Sequence, residues 1–376
     1  MKVLQVLPAL ESGGVERGTV ELNRFLREHG HESVVISAGG RLVETVQRDG
    51  GRHITWPIGR KHLATLRYIW KMRGFLEEER PDVLHLRSRL PAWIAWLAWR
   101  GMVHGARPAL VTTVHGFNRP GAYSAIMTRG ERIIAVSDCV REFILQNYPS
   151  VDPARIRVIH RGIDPAEYPR GYRPSPEWIE QWHRENGFPP DRKLLALPAR
   201  ITRLKGLEHF FEVIRLLKQE GLSVQGLVVG EAQAGRAAYL HELRCRAHRM
   251  GLDNSISFLG HRTDLREILA ISDLVFSLSV EPESFGRTTI EALSLGKPVI
   301  GYDHGGVREQ LQQLLPQGVV PVGDWKRATE LAKAWLANPP LPAVNDRYLL
   351  YRMLISTLEV YTEACAEAIQ RKGRTR

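Results

Sequence analysis

Residues Ser277–Gly306 read SLSVEPESFGRTTIEALSLGKPVIGYDHGG, and this stretch decides the fold. An apolar run ends at Ser277, two acids follow, and Gly286-Arg287-Thr288 opens a helix expected from about Gly286 to Leu295. Gly296-Lys297-Pro298 closes that helix, a second apolar run follows to Tyr302, and Gly305-Gly306 makes a turn. Strand, helix and strand in this order put the loops at strand ends, where open α/β sheets hold ligands. Glu283 and Glu291 have seven residues between them, and Glu291 lies roughly 7 Å along the helix from Gly286 at about 1.5 Å per residue. Two carboxylates so spaced can accept hydrogen bonds from two separate hydroxylated rings, and charge-assisted bonds are the stronger class. The free backbone donors at the helix start, beside Arg287 and Thr288, can hold a phosphate. Glu281, with nine residues between it and Glu291, is the weaker candidate.

Upstream, the strand pattern KLLALP leads into Ala199-Arg200-Ile201-Thr202-Arg203-Leu204-Lys205-Gly206 and then a helix. Arg200 and Lys205, converging from one strand-end loop, are what a diphosphate leaving group requires as its charge grows. The plain alternative for each is a solvated surface charge. SVQGLVVG ends at Gly230-Glu231, a helix is expected to about Met250, and ISFLG ends at Gly260 before His261 and Arg262. These loops can present backbone groups to a base, with Asp264 expected to cap the next short helix.

The first half alternates short apolar runs (KVLQVLP, SVVIS, VLHL, LVTTV, IIAV) with segments of helical period, which argues a parallel, doubly wound sheet. Gly13 and Gly14 stand between the first strand and a helix stopped by Gly30, where a backbone can approach a phosphate or simply turn tightly. Arg60 to Arg80 reads as a helix with Leu63, Leu66, Ile69 and Trp70 apolar and Arg60, Lys61, Arg67, Lys71 and Arg73 basic. Such a helix either lies on an anionic membrane or is an ordinary solvated surface helix. Trp93, Trp96 and Trp99, three residues apart, suit core packing better than a membrane belt, though Arg87, Arg89 and Arg100 flank them. His115-Gly116 follows a strand at the carboxyl edge, a position that raises an active-site role over a structural one. Ser137 is placed to cap the next helix. Arg155 to Pro176, rich in Pro and Gly, is the best domain boundary. From Asp346 to about Gln370 a long helix is expected, ending in basic KGRTR.

A chain of 376 residues has room for about two domains. Cys139, Cys245 and Cys365 are far apart without metal-ligand spacing, so neither a disulfide nor a structural zinc is expected, and a reducing cytosol is the simplest compartment. The first ten residues lack the basic lead and long apolar core of a signal peptide, and no apolar run approaches the roughly 20 residues of a membrane span. The net charge of +11 points to an acidic partner: phosphate, nucleic acid or anionic lipid.

Glu283-Ser284-Phe285-Gly286 through Glu291, Gly296-Lys297-Pro298 and Gly305-Gly306, taken with Arg200, Lys205-Gly206, Gly13-Gly14 and His115-Gly116 in that order, resembles the retaining GT-B glycosyltransferases of family four. The resemblance spans nearly the whole chain. It implies an α/β fold of two Rossmann-like, doubly wound parallel-sheet domains facing a cleft: residues 1–168 for the acceptor, a linker at 169–190, and 191–345 for the nucleotide-sugar. A helix from about 346 to 376 would pack back on the first domain. It further implies Glu291 on the ribose, Glu283 on the donor sugar, Arg200 and Lys205 on the diphosphate and His115 near the transferred sugar. Gly13, Gly14, Gly230, Arg262, Ser284, Phe285, Gly286, Arg287 and Thr288 would complete the nucleotide-sugar site. No metal and no cofactor are implied beyond a UDP- or GDP-sugar co-substrate, with retention by front-face attack as the diphosphate leaves.

The EPESFGRT version of the motif, the basic first half and the Trp- and Arg-rich region resemble enzymes of lipopolysaccharide core or other envelope glycan synthesis. They imply a lipid-linked acceptor, no nucleic acid, and a cytoplasmic protein peripheral on the inner face of the membrane. Two other classes stand beside this: a nucleotide-sugar epimerase or hydrolase of the same fold, and a non-enzymatic basic binding protein.

Overall fold

The computed structural model describes residues 1–11, 13–189, 191–232 and 237–373. They fall into two compact units, Met1–Gly162 with Leu350–Arg376, and Ile163–Leu349. Each is built on a parallel sheet, as the alternation of apolar runs with helical segments requires.

The strands of the first unit are β1 (Lys2–Val6), β2 (Glu32–Ser37), β3 (Arg52–Thr55), β4 (Val83–Leu86), β5 (Ala109–Val114), β6 (Arg132–Ala135) and β7 (Ile156–Val158). Its helices are α1 (Gly14–Glu28), α2 (Val43–Arg48), α3 (Tyr68–Glu79), α4 (Arg89–Gly101) and α5 (Asp138–Asn147). The sheet order is β3-β2-β1-β4-β5-β6-β7, every neighbour parallel, so the order reverses between β1 and β4. Alternate residues bury opposite faces, the two-sided burial that makes parallel strands read as apolar throughout. Leu4, Leu84, Leu110 and Ile133 pack in one core with Met72, Leu76 and Ile94 of α3 and α4. Val3, Val83, Val111 and Ile134 pack in another with Leu22, Phe25 and Leu26 of α1.

In the second unit, α6 (Pro176–Asn186) precedes β8 (Lys193–Pro198), α7 (Leu207–Gln219), β9 (Val224–Val229), α8 (Ala237–Arg249), β10 (Ile256–Gly260) and α9 (Leu265–Ile271). Then come β11 (Leu274–Ser277), α10 (Arg287–Ser294), β12 (Val299–Tyr302), α11 (Gly305–Leu314), β13 (Val319–Val320) and α12 (Trp325–Ala337). The order β10-β9-β8-β11-β12-β13 is again parallel and reverses between β8 and β11. Trp182 of α6 is buried in the core of this unit.

The chain then returns. The last helix, α13 (Leu350–Gly373), lays Met353, Leu354, Val360, Tyr361, Ala364 and Ala368 on the β1-β4-β5 face beside α1. Tyr361 donates or accepts at Nδ1 of buried His85 at 2.6 Å, while His85 Nε2 meets Thr113 Oγ1 at 2.7 Å. Of the basic KGRTR end, residues 374–376 lie outside the described residues.

One expectation changes in the first unit. Arg60 to Arg80 is not one helix: a 3-10 turn over Leu63–Arg67 leads into α3. His62, at the cap of that turn, accepts from the Ala64 N–H and holds the tighter winding. The tryptophans of α4 are core: Trp93 Nε1 donates to the Tyr123 carbonyl and Trp99 Nε1 to that of Pro108, and all three pack on the cluster under α4.

Tyr361→Phe removes one partner of a buried ring nitrogen, which costs about 1–3 kcal/mol when the group is left unpaired. Urea unfolding of the full chain is expected to show that loss. An unchanged midpoint would mean that packing alone seats α13.

Candidate active site

The loops at the β8/β11 reversal are in van der Waals contact. Gly206 has φ +66°, and a Cβ there would lie 1.9 Å from the Leu278 carbonyl oxygen. The Val280 N–H donates to the Leu204 carbonyl at 2.9 Å. Lys205 is thereby carried to Glu283: its Nζ donates to Glu283 Oε1 at 2.8 Å, and Ser279 Oγ donates to the same oxygen at 2.6 Å. From the other side, the Gly306 N–H donates to the Glu283 carbonyl at 2.7 Å. A Cβ on Gly305 would stand 2.4 Å from that carbonyl, and one on Gly306 2.5 Å from Phe285 Cα. His304 Nε2 donates to the Ser279 carbonyl at 2.7 Å and Gln310 Nε2 to the Phe285 carbonyl at 2.5 Å, so the acid loop is clamped along its length. Burial pushes the Glu283 carboxyl up, but Lys205, Ser279 and the more distant Arg200 outweigh it and hold the group below its ordinary value.

Gly286 is left-handed at φ +82°, and no side chain caps α10 behind it. Glu291, one turn in, is 3% exposed, and Arg287 Nε donates to its Oε1 at 3.1 Å. Ser284 and Thr288 are half-buried beside the helix start, whereas the Phe285 ring is buried edge-on to Tyr348, 5.8 Å between centroids. Arg200 is exposed just past β8. Gly230, at φ +151°, would put a Cβ 2.1 Å from the Ala199 carbonyl, so the β8 and β9 exits touch, and Gly230 bridges Gly260.

Arg262 is held by Asp264 at the start of α9. It donates to Asp264 from Nε at 2.8 Å and from Nη2 at 2.6 Å, and Asp264 also receives Trp178 Nε1 at 2.9 Å. Asp264 therefore occupies the cap position of α9 without capping it. Its carboxylate is turned to Arg262 and Trp178 instead of to the helix N–H groups. Arg203, for its part, pairs with Glu242.

In the first unit, Gly13 stands at φ +149° at the start of α1, and Gly14 has open space around it. Ser137 caps α5 through the Val140 N–H, as its position predicts. His115 leaves the carboxyl end of β5, and Arg161 Nη2 donates to its Nδ1 at 2.6 Å. Buried Arg87, past β4, donates to Gln5 Oε1 at 2.9 Å. Burial, then Arg161, Arg87 and His85, push His115 well below the ordinary imidazole value, and burial with Arg87 and Arg161 does the same to His85. Gly18 admits these guanidinium groups under α1: a Cβ there would be 2.7 Å from Arg161 Nη1.

The sequence reading singled out neither Arg161 nor Ser279, His304 or Gln310. Arg161 had one signal, a charge at an apolar strand exit in RVIHRGID. The other three are polar residues of ordinary loop and helix composition.

Residues 12–167 match Glycosyltransferase Family 4 and residues 179–348 match Glycosyl transferases group 1. A D-inositol 3-phosphate glycosyltransferase of Jonesia denitrificans is 30% identical over 337 residues, 79% of this chain and 76% of that protein. A glycosyltransferase from Rickettsia africae ESF-5 superposes with a TM-score of 0.83 at 28% identity, covering 96% of this chain and 98% of that one. Anabaena Alr3699/HepE, solved in complex with UDP-glucose, gives 0.81 at 20% identity over 96% and 100% of the two chains.

The two doubly wound parallel sheets are those of the GT-B glycosyltransferases. The chain belongs to the group 1 glycosyltransferases and is an enzyme of that class. The epimerase, hydrolase and non-enzymatic readings find no support among these relatives.

Gly306→Ala drives a methyl into the Phe285 backbone, and overpacking of this kind costs about 1–3 kcal/mol. Gly14→Ala meets nothing within 4 Å and is expected to leave thermal stability unchanged. Equal melting temperatures for both variants would show that the close approach at Gly306 relaxes freely. Because the folded pKa of Glu283 is lowered from 4.5, its contribution to stability is present above that value and lost as pH falls through the native one. Glu283→Gln is expected to flatten that part of the acid limb in pH-dependent unfolding; an unaltered limb would place the shift elsewhere.

Proposed function

We propose that this enzyme transfers a sugar from a UDP- or GDP-sugar to a hydroxyl of an envelope glycan or glycolipid, with retention and without a metal. The observation that carries the donor half is the Lys205–Glu283 ion pair across the β8/β11 reversal, with the uncapped α10 start and buried Glu291 next to it. Strand-order reversal is where open α/β sheets receive ligands. Glu291 takes the ribose, Glu283 the donor sugar, and Arg200 and Lys205 the diphosphate, whose growing charge they offset as it leaves. Ser284, Gly286, Arg287 and Thr288 line the phosphates, and Gly230 and Arg262 the base side. Gly13, Gly14 and His115 serve the transferred sugar, His115 through a ring nitrogen, Nε2, that is buried without a hydrogen-bond partner. The UDP-glucose complex of HepE supports a nucleotide-sugar donor.

For the acceptor, the reading rests on a surface of the first unit. Leu63, Leu66 and Trp70 are exposed at 83%, 47% and 73%, and exposed Arg60, Lys61, Arg67, Lys71 and Arg73 surround them. Apolar side chains ringed by bases suit an anionic bilayer surface. This surface supports the reading of a lipid-linked acceptor of lipopolysaccharide core type, used at the inner face of the cytoplasmic membrane. No helix among the described residues is long and apolar enough to cross a membrane. A soluble phosphorylated acceptor is the second reading, favoured by the relative named for D-inositol 3-phosphate.

Lys205→Ala and Arg200→Ala are each expected to cut turnover about a hundredfold, the scale of losing one donor to a developing anion. Near-normal turnover in both would sink the assignment. A thermal-shift panel of nucleotide-sugars identifies the donor, since a ligand of the native state raises its stability. Flotation with vesicles containing phosphatidylglycerol decides between the acceptors. Binding at low salt that Trp70→Glu abolishes supports the membrane reading, and no binding by the parent protein supports the soluble one.

A further inference from the structure

Arg161 Nη2 lies 2.6 Å from His115 Nδ1. A guanidinium carries only N–H donors and keeps its proton in proteins, so Nδ1 of His115 must offer its lone pair. A ring that accepts at Nδ1 is not an imidazolium, and its one proton is then on Nε2. That Nε2 is buried with no hydrogen-bond partner. The contact therefore settles what the ring shows a ligand: one N–H donor, and no basic nitrogen.

The arrangement is enforced from several elements. Gly18 of α1 has no side chain, and a Cβ there would come within 2.7 Å of Arg161 Nη1 and 3.3 Å of Arg87 Nη2. Two guanidinium groups are thus held below one helix, with Arg161 Nη1 also 3.9 Å from Met353 Sδ of α13. The charged and titratable groups that act on His115 are Arg161, Arg87 and His85, while Tyr361 of α13 and then Glu21 and Glu16 of α1 act on Arg87. The cations dominate at His115, and they disfavour a further positive charge on the ring.

We propose that Arg161 is a positioning residue that fixes His115 as its Nε2–H tautomer, so that His115 meets the transferred sugar as a hydrogen-bond donor and not as a general base. The sugar as its target rests on the function proposed above; the tautomer does not. One consequence is chemical. His115 does not take up the proton of the acceptor hydroxyl, because its Nε2 already carries one.

The test is a long-range 1H–15N correlation spectrum of the full-length protein labelled at histidine, with His115→Gln to assign the signal. The expected result is the Nε2–H pattern, without titration from about pH 5.5 to 8.5, the window in which an ordinary histidine changes charge. In Arg161→Met the ring is expected to show mixed tautomers and to titrate nearer the usual value of about 6.5. Arg161→Lys, which still only donates, is expected to restore the Nε2–H pattern. An Nδ1–H tautomer or an imidazolium in the parent protein overturns the proposal, as does an unchanged spectrum in Arg161→Met.

In transfer assays Arg161→Met is expected to lower kcat/KM about tenfold in the parent and about twofold or less in a His115→Ala background, the non-additivity of residues in contact. Equal losses in both backgrounds would show that Arg161 acts by another route. Absence of transfer from every nucleotide-sugar would count against the proposed function, while the spectrum would still decide the role of Arg161.

Discussion

The second sheet depends on a clearance that only glycine satisfies. At the reversal between β8 and β11 two loops leave neighbouring strands in opposite directions, and the Leu278 carbonyl would lie 1.9 Å from any Cβ at position 206. The same limit recurs where Gly305 and Gly306 close on the Glu283 and Phe285 backbone. A shift of one loop by the width of a methyl group would separate Lys205 from Glu283. The ion pair is therefore a consequence of backbone contact, with its partners 78 residues apart in sequence. Its side chains are only 20% and 26% exposed, so each charge relies on the other for compensation. Its value lies in holding one cation and one anion at fixed places on the strand edge.

Both acids singled out at the start are engaged by cations in this form, Glu283 by Lys205 and Glu291 by Arg287. A ligand bearing hydroxyls and a diphosphate would exchange partners with these pairs: hydroxyls to the carboxylates, phosphate oxygens to the cations. In such an exchange the cations keep an anionic partner and the carboxylates keep hydrogen-bond donors, which matters because a buried charge left alone costs several kcal/mol. The first unit solves the problem of buried cations differently. Arg87 donates to the Gln5 amide oxygen and Arg161 to a ring nitrogen of His115, with Glu21 and Glu16 of α1 offsetting part of the Arg87 charge.

The fold was legible because parallel strands buried on both faces read as apolar runs, and the crossovers between them as helical periods. The acid loop and its glycines were legible because the acids and glycine turns that mark them fall within thirty residues, Ser277–Gly306, although Lys205 and Gln310 complete the clamp from outside. What escaped was long-range. Arg161 lies 46 residues from His115, and Tyr361 lies 276 from His85, so nothing local marks either contact. Asp264 misled for a related reason: its position fits a helix cap, but Arg262 and Trp178, the latter 86 residues away, claim its carboxylate. The Arg60–Arg80 segment carried a helical period that a 3-10 turn also satisfies over five residues.

The tryptophans show how a buried aromatic separates from an exposed one when composition is the same. Trp93 and Trp99 stand among arginines, as Trp70 does, yet each finds a backbone carbonyl for its indole N–H, and burial then needs no further compensation. Trp96 has Arg100 and Arg129 over its ring at 4.9 and 5.8 Å, so two of the nearby cations are spent on packing rather than on an external partner. Trp70 stays 73% exposed with Leu66, 47% exposed, four residues before it. In the basic, aromatic half of the chain the 3-10 turn and the start of α3 thus hold the exposed tryptophan, with Leu63 and Leu66 beside it. A surface that small binds weakly by apolar burial alone, so its bases must supply the rest, and any attraction it exerts on an anionic layer is tied to ionic strength.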